Sequence, residues 1–366
     1  MANLQRVEFS APTKLVLAEL DTSVPHNPTL FAELVERKLI FPTKRPGVYA
    51  IPFRAPGVKT GTQHKRSIHT LNLPNGQFAF KGTGEDDALE SYRNKVDEHM
   101  PEREFHGGAR SPSIIHVVRI LNELHEHYHT AKTSGDPVVN WAAAKGIDQL
   151  PTIQHTAVFR PLQVLSSKTG KLQRIAITPK YLSSIRLGAF AGQERVYVYK
   201  AKEPTRVAEP LERATSQNLR ELAEAGNEEK IQALKQFITR GVLLAHVAHQ
   251  NKICLTEIGS SLSGLNSSAF EFFDFGTARR YKDEGAFKTY RERDYFSLGH
   301  AIEAFAFNLA NTKGTHSLRN LSKNAMRLKH IFSEIRHRKP DNLASFLDNE
   351  VDKLARKTLE PKLTWD

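Results

Sequence analysis

The sequence predicts an α+β protein in two lobes: a small β-rich lobe over residues 1–200 and a larger helical lobe over residues 201–366. Short segments of alternating polar and apolar residues, bounded by turn signals, occupy much of the first half and are typical of strands. Longer segments with apolar residues at helical spacing occupy the second half. With 366 residues and 39% hydrophobic content, the chain is long enough to form a core in each lobe.

The clearest β-structure is a hairpin over residues 66–81. Residues 66–73 alternate well enough for a strand, and Asn75-Gly76 is a strong turn signal because both residues tolerate positive φ. Residues 77–81 then form the return strand, which ends at Lys81. A second hairpin is predicted from strands at 156–166 and 172–178, which the turn at residues 168–171 joins, and one further strand is predicted at 194–200.

Helical periodicity first appears within the N-terminal lobe. It begins at Ile114, and Ser111 is the predicted N-cap. In the second half the same periodicity recurs several times, which indicates a mainly helical lobe. The first predicted helix there carries an apolar stripe from Ile231 and ends near His246, and the second covers 294–307. Two more follow, with apolar stripes within residues 328–335 and 343–354.

The chain is basic, with 52 Lys and Arg against 40 Asp and Glu, a formal net charge of +12. A basic surface favours polyanions such as nucleotides, nucleic acid, acidic proteins and anionic lipid. The sequence lacks zinc-finger spacing, an RNA-recognition sheet motif and a continuous basic helix, which argues against dedicated nucleic-acid binding. The single cysteine, Cys254, excludes an internal disulfide and a multi-cysteine metal site, and its strand position favours packing over a nucleophilic role.

The sequence contains no candidate membrane span, because no apolar run approaches the roughly 18 residues that a span requires. The first residues lack a basic segment followed by an apolar block, so no secretory signal is predicted. We therefore expect a cytoplasmic protein, or one that is delivered into a host cell.

The most informative string for chemistry is F-F-D-F-G-T-A-R at residues 272–279. An apolar strand delivers the Asp274 carboxylate at its end, and Phe275-Gly276 turns the chain away. Mg²⁺ accepts one or two carboxylates together with phosphate oxygens, so such an acid suits ATP chemistry. Taken alone, the string also fits a strand-to-turn segment with an exposed aspartate.

The flanking segments follow the order in which protein kinases assemble a metal pair. Upstream, the long helix ends near His246, and Asn251 and a short strand over residues 252–255 follow it. Downstream, D-Y-F-S-L-G from Asp294 resembles the D-x-W-S-x-G start of a long helix in the kinase C-lobe. In kinases that acid holds the catalytic loop through hydrogen bonds from backbone amides. The two-lobed plan is likewise that of the protein kinase fold.

Lys81 lies where the third strand of a kinase carries its phosphate-binding lysine, although a solvated strand end also fits. Other kinase features differ. No G-x-G-x-x-G-x-V precedes the hairpin, and His246 stands at the position of the catalytic-base aspartate. Asp294 follows Asp274 by only 20 residues, without A-P-E, which leaves little room for an activation loop or a peptide-docking platform.

Three further segments resemble the selenoprotein O family, pseudokinase-like proteins that transfer AMP to protein hydroxyls. They are F-K-G-T-G from Phe80, G-A-R-S from Gly108 and I-R-L-G-A-F from Ile185, within a discontinuous resemblance over residues 75–300. The resemblance implies that ATP binds in a reversed orientation, with its α-phosphate toward the acceptor.

The resemblance also implies a set of site residues. Lys81 and Arg186 bind the ATP phosphates, and Arg110 opens the helix that follows the lysine strand. Asn251 and Asp274 hold Mg²⁺ or Mn²⁺. An arginine suits a phosphate because its planar fork pairs two oxygens and stays charged.

Three functions of the family have no single counterpart in this chain: the first phosphate-binding arginine, the acid that pairs with the lysine, and the general base. A phosphoryl transfer depends mainly on positioning and charge neutralisation, so the base is also dispensable in principle. The candidates are Arg174 or Lys180 for the phosphate-binding arginine, Glu104 or Glu123 for the acid that pairs with the lysine, and His246 or His249 for the general base.

We therefore expect an ATP- and Mg²⁺-dependent transferase that moves AMP to a hydroxyl of a protein partner. The first alternative is an atypical kinase that transfers the γ-phosphate to a protein or a small molecule. The second alternative is a catalytically silent pseudokinase that binds nucleotide and serves as a scaffold.

Two other features have less specific interpretations. His125 and His129 share a helix face at i, i+4, but no third ligand is evident, so a solvated helix end is favoured over a zinc site. Residues 327–339 are densely basic and fit the wet face of a helix, or a site for an acidic partner or a phosphate backbone.

Overall fold

The structure, a computed structural model, divides the chain into two compact units. The first comprises Met1–Val118 and Gln154–Pro204, and the second comprises Arg119–Ile153 and Thr205–Asp366. The predicted lobe boundary after residue 200 remains a prediction. The residues that the structure describes are 13–54, 60–63, 66–71, 77–83, 114–167, 172–176, 195–201, 224–256, 272, 275, 278–310, 321–338 and 340–363.

The first unit is built on an antiparallel sheet. Along the sheet the strand order is β2-β3-β1-β7-β9-β6-β5-β4, and β8 pairs with β7 outside that path. One helix, α1 (Pro28–Glu36), lies between β1 and β2 in the chain. The strands are β1 (Thr13–Leu20), β2 (Phe41–Pro42), β3 (Val48–Arg54), β4 (Thr60–Gln63), β5 (Arg66–Leu71), β6 (Gln77–Thr83), β7 (Gln154–Ser167), β8 (Leu172–Ala176) and β9 (Arg195–Ala201).

The structure confirms the two predicted hairpins. β5 pairs antiparallel with β6, with Thr70 opposite Ala79, and β7 pairs antiparallel with β8, with Val164 opposite Ile175. The predicted strand at 194–200 corresponds to β9, which lies between β6 and β7 and pairs with both. Strand β9 thus lies inside the sheet between two strands that do not adjoin it in sequence, a position that no local pattern indicates.

The core of the first unit follows from the two-residue period of its strands. Phe78 and Phe80 of β6, Val196 and Val198 of β9, and Leu34 of α1 are buried in one cluster. Alternate residues of neighbouring strands therefore supply one apolar face, and α1 packs against that cluster.

The segment before residue 55 contains four elements that were not predicted from the sequence: β1, α1, β2 and β3. A start signal for α1 is present, because Asn27 precedes Pro28 and its Oδ1 accepts the amide of Leu30 at 3.1 Å. The helix has only nine residues, too few for helical periodicity to stand out.

The described residues of the second unit are largely helical, with one two-stranded ribbon, β10 (Ile253–Cys254) and β11 (Arg279–Arg280). The described chain is therefore α+β, as predicted. No helix in its described part is both long enough and apolar enough to cross a bilayer. The helices are α2 (Ile114–Thr133, in this unit from Arg119 onward), α3 (Pro137–Ala144), α4 (Asn227–Gln250), α5 (Glu284–Leu309), α6 (Leu321–His337) and α7 (Pro340–Leu363).

The predicted start of α5 is wrong, and it matters for the site. The sequence predicted a helix that begins at Asp294, but α5 begins at Glu284, where Asp283 caps it by accepting the amide of Ala286 at 2.7 Å. The first turns of α5 bury only Phe287, so the apolar periodicity starts later than the helix itself. Asp294 is consequently an interior residue of α5.

The helices α4 and α5 approach closely at Gly241. A Cβ at this position would lie 2.5 Å from Cδ1 of Leu298, so any larger residue would force Leu298 to move. The rings of Phe237 and Phe305 lie 4.8 Å apart between the same helices. This packing holds the middle of α5 against α4.

Candidate active site

A buried carboxylate, that of Asp294, organises the chain around β10. Its side chain is inaccessible to solvent. Oδ1 and Oδ2 lie 3.0 and 2.9 Å from the amide of Leu255, and Oδ1 lies 2.7 Å from the amide of Thr256. Nε2 of His249 lies 2.8 Å from Oδ2. A carboxylate is tolerated in such a position only because several donors replace the water it has lost.

The backbone of Thr256 is held to α5 from both sides. Its amide donates to Asp294, and its carbonyl accepts the Ser297 hydroxyl at 2.7 Å. Thr256 has a φ of 54°, in the left-handed region that a β-branched residue rarely adopts. The two bonds to α5 hold this conformation, whose cost is on the order of 1–2 kcal/mol.

His249 belongs to the same buried site. Its ring lies within 6.1 Å of the rings of Phe287, Tyr295 and Phe332. Because the ionised Asp294 carboxylate only accepts hydrogen bonds, Nε2 carries the proton that it donates to Oδ2. Nδ1 is buried without a hydrogen-bond partner. Burial lowers the pKa of His249, an effect that the bond to Asp294 opposes.

Cys254, the residue before Leu255, is also buried. Its Sγ lies 3.8 Å from the carbonyl oxygen of Phe287. Burial, with the nearby Asp294 carboxylate, raises the pKa of the thiol. These observations fit the predicted packing role, since a nucleophilic cysteine needs a lowered pKa.

The structure places His246, the candidate base, against Asp136 on the loop before α3. Nε2 of His246 lies 3.1 and 3.0 Å from the two carboxylate oxygens of Asp136. The same carboxylate accepts the amides of Val138 and Val139 as the N-cap of α3, and the Gln250 side chain at 2.8 Å. Burial opposes ionisation of Asp136, but these bonds lower its pKa to about 2. Asp136 is not among the site residues predicted from the sequence, although Asp136-Pro137 is a helix-start signal.

Asn251, the predicted metal ligand, is the C-cap residue of α4. Its Nδ2 donates to the carbonyl of Val247 at 2.9 Å. The amide nitrogen donates hydrogen bonds and does not bind cations, so Oδ1 is the atom that a cation would bind. An amide oxygen is a hard ligand that suits Mg²⁺ or Mn²⁺.

The remaining predicted residues fall partly or wholly outside the described part of the chain. Lys81 lies in β6, where its backbone is opposite Ile68 of β5 and Tyr197 of β9. The predicted site residues that lie outside the described residues are Arg110, Lys180, Arg186 and Asp274.

Of the two candidate acid partners of Lys81, one lies in the described part of the chain and one does not. Glu104 lies outside the described residues. Glu123 lies in α2, with Oε2 3.3 Å from Nη2 of Arg280, and the same nitrogen lies 2.8 Å from Nε2 of His127. Glu123 therefore pairs within the second unit with an arginine that follows the F-D-F-G string.

The histidine pair of α2 has ordinary contacts. Nε2 of His125 lies 2.9 Å from the hydroxyl of Thr152, and burial lowers the pKa of His125. Among the residues that the structure describes, no group of three or more His, Cys, Asp or Glu side chains could hold a metal ion.

Comparison with known proteins adds little to this geometry. No family model matches the chain, and no curated protein matches it. Among solved structures, it is similar to the crystal structure of a Stt7 homolog from Micromonas algae soaked with ATP. The superposition has a TM-score of 0.38 and 12% sequence identity, and covers 85% of this chain and 94% of that one. A similarity at this TM-score supports no statement about the function of the chain.

Proposed function

We propose that the chain is an ATP- and divalent-metal-dependent transferase with a protein kinase-like fold. The observation that carries the proposal is the Asp294 carboxylate, which lies inside a long helix and accepts the backbone amides of Leu255 and Thr256. This is the interaction by which the kinase resemblance expects such an acid to hold a catalytic loop. The residues that Asp294 holds follow the short strand β10, whereas the sequence predicted a catalytic loop between α4 and that strand.

The sheet of the first unit supports the same fold. Its strands β4, β5 and β6 form an antiparallel meander, and β9 inserts between β6 and the earlier strand β7. The order β4-β5-β6-β9-β7 is that of the five-stranded sheet in the small lobe of a protein kinase, with Lys81 on the third strand. The strand order bears on the fold, and the activity depends on the residues of the site.

The contacts of Asp294 favour a different register for the catalytic loop from the one that places a base at His246. The acid holds residues 255 and 256, so Leu255-Thr256-Glu257 takes the place of the kinase sequence H-R-D. Glu257, which lies outside the described residues, then becomes the carboxylate that orients the acceptor hydroxyl. The first asparagine after it is Asn266, which competes with Asn251 as the metal-binding amide.

The proposed reaction is transfer of AMP to a protein hydroxyl. The acceptor oxygen bonds to the α-phosphorus, the bond from that phosphorus to the bridging oxygen breaks, and pyrophosphate leaves with the electron pair. The acceptor proton passes to the Glu257 carboxylate. Lys81 and Arg186 neutralise phosphate charge, with Arg110 and Lys180 as further phosphate-binding candidates, and Asp274 binds the metal ion. When bound, that ion supplies positive charge to the phosphates.

The test uses ATP labelled on either the α- or the γ-phosphate, with Mg²⁺ or Mn²⁺, and a protein extract as acceptor. Label transferred only from the α position supports AMP transfer, and label transferred only from the γ position identifies a kinase. Nucleotide-dependent thermal stabilisation without transfer of either label identifies a scaffold and contradicts the proposal.

Variants distinguish the two registers. We expect Glu257→Gln and Asp274→Asn each to lower the transfer rate by about 10²-fold or more, because each removes a charge at the reacting centre. His246→Ala and Asn251→Ala retain activity in the proposed register, provided that they fold. Glu360→Gln, an exposed change of the same chemistry, is the matched control. Full activity in Glu257→Gln with loss in His246→Ala would restore the alternative register.

A further inference from the structure

The helices α6 and α7 form an open cleft on the second unit. Its volume is about 390 Å³. Three residues of α6, at positions i, i+1 and i+4, and three of α7, at positions i, i+3 and i+7, line the cleft. Each helix therefore presents one continuous stripe of side chains. The lining residues are Met326, Arg327, His330, Glu350, Lys353 and Lys357.

The cleft combines an exposed apolar side chain with unpaired positive charge. Met326 is 71% exposed, the most exposed large apolar residue in the described part of the chain. Arg327 and Lys357 have no carboxylate partner among the described residues, whereas Lys353 pairs along its own helix with Glu350 at 2.9 Å. Cations therefore outnumber carboxylates in the lining.

Two basic residues close to the cleft show a different pattern. On α7, Arg356 binds Glu228 and Asp352, and on α6, Lys329 binds Glu292 at 2.6 Å. The charges of these two residues are thus neutralised by acids of the fold. The cleft leaves positive charge uncompensated beside an apolar side chain, a combination that favours a ligand carrying both negative charge and an apolar group.

We propose that this cleft binds an acidic peptide segment of a partner protein, with an apolar side chain of the peptide over Met326 and its carboxylates facing Arg327 and Lys357. The chemistry of the lining favours a peptide over a nucleic acid. Single-stranded nucleic acid binds on aromatic platforms, and the one aromatic ring that lines the cleft, that of His330, already packs at 5.8 Å against the ring of Phe346. Glu350 would in addition repel a phosphate backbone, whereas a peptide can place an uncharged residue there.

The probe is a fluorescein-labelled peptide, Glu-Glu-Leu-Glu-Glu-Leu-Glu-Glu, whose binding to the full chain is followed by fluorescence anisotropy at low salt. We expect a Kd of roughly 10–100 μM, typical of a short, shallow contact. The double variant Arg327→Glu/Lys357→Glu should raise the Kd at least about tenfold, because attraction becomes repulsion. The change Met326→Ala should weaken the leucine peptide and leave a peptide with alanine in place of leucine unaffected.

The matched control is Lys44→Glu/Lys282→Glu, two exposed lysines outside the cleft that give the same change in net charge. It should bind the peptide within about twofold of the wild-type chain. Thermal melts establish that each variant folds, and Arg327→Gln/Lys357→Gln, with a smaller expected loss, replaces the charge reversal if that variant does not.

Three results would overturn the proposal. Equal weakening in the control and in the cleft variant would show that net charge alone attracts the peptide. Unchanged binding in the cleft variant would place the peptide elsewhere. Tighter binding of a single-stranded DNA oligonucleotide, lost on charge reversal in the cleft, would assign the surface to nucleic acid instead. Because no assay here depends on ATP, failure of this proposal leaves the transferase proposal intact.

Discussion

Removal of the Asp294 carboxylate is the sharpest test of the site as a structural unit. Asp294→Ala leaves three buried donors without an acceptor: the amides of Leu255 and Thr256 and Nε2 of His249. An unsatisfied buried donor costs about 1–3 kcal/mol. Because water enters part of the vacated space, we expect the free energy of unfolding to fall by roughly 3–6 kcal/mol.

Asp294→Asn should cost much less. The asparagine Oδ1 can still accept the amides of Leu255 and Thr256, while its Nδ2 faces Nε2 of His249. His249 must then move its proton to Nδ1, which is buried without a partner. One unsatisfied donor replaces three, so we expect a loss of about 1–3 kcal/mol.

The assay is urea unfolding at neutral pH, with Asp148→Asn as the control because Asp148 is exposed. The control should stay within about 0.5 kcal/mol of the wild-type chain. An unfolding free energy for Asp294→Ala within about 1 kcal/mol of wild type would refute the reasoning, because three orphaned donors cannot cost so little. Equal losses in Asp294→Ala and Asp294→Asn would refute the assignment of which donors the carboxylate serves.

Three further predictions concern other parts of the fold. Burial lowers the pKa of His155 to about 4, although the hydrogen bond between its Nε2 and the carbonyl of Pro25 opposes this shift. Between pH 6.5 and 4 the unfolded chain therefore binds a proton that the folded chain does not. The free energy of unfolding should therefore fall by roughly 3 kcal/mol as pH falls through that window. Urea titrations should show this fall for the wild-type chain and not for His155→Gln. Cys254 should resist a thiol reagent in the native protein and react completely in denaturant, and rapid native labelling would contradict its burial. Gly241→Ala should destabilise the protein by about 1–2 kcal/mol, since overpacking against Leu298 outweighs the better helix propensity of alanine, and Leu298→Ala should relieve that clash in the double variant.

Local patterns were sufficient for strands β5 to β9 of the first unit and for most helices of the second. The alternation and the Asn75-Gly76 turn predicted the pairing of β5 with β6, and the helical stripe from Ile231 predicted α4. These patterns are reliable because each residue's exposure repeats with the period of its own element. The start of α5 was missed because its first turns are solvated and carry no stripe, so only the Asp283 cap marks them.

The candidate site was predicted less completely, because its key contacts join distant residues. Asp294 was recognisable from the string that begins with it, but the amides it holds are 38 and 39 residues away in sequence. The partner of His246, Asp136, is 110 residues away. No periodicity encodes such pairings, since they depend on how whole helices cross.

The sequence by itself therefore determined the α+β composition, the basic surface and the acid that α5 carries. Only the tertiary structure decided that β9 enters the sheet beside β6, that His249 shares a buried carboxylate with the loop after β10, and that Leu255 and Thr256 are the residues it holds. The physical reason is that a buried charge is tolerated only where donors from separate segments converge, and convergence is a property of packing rather than of any one segment.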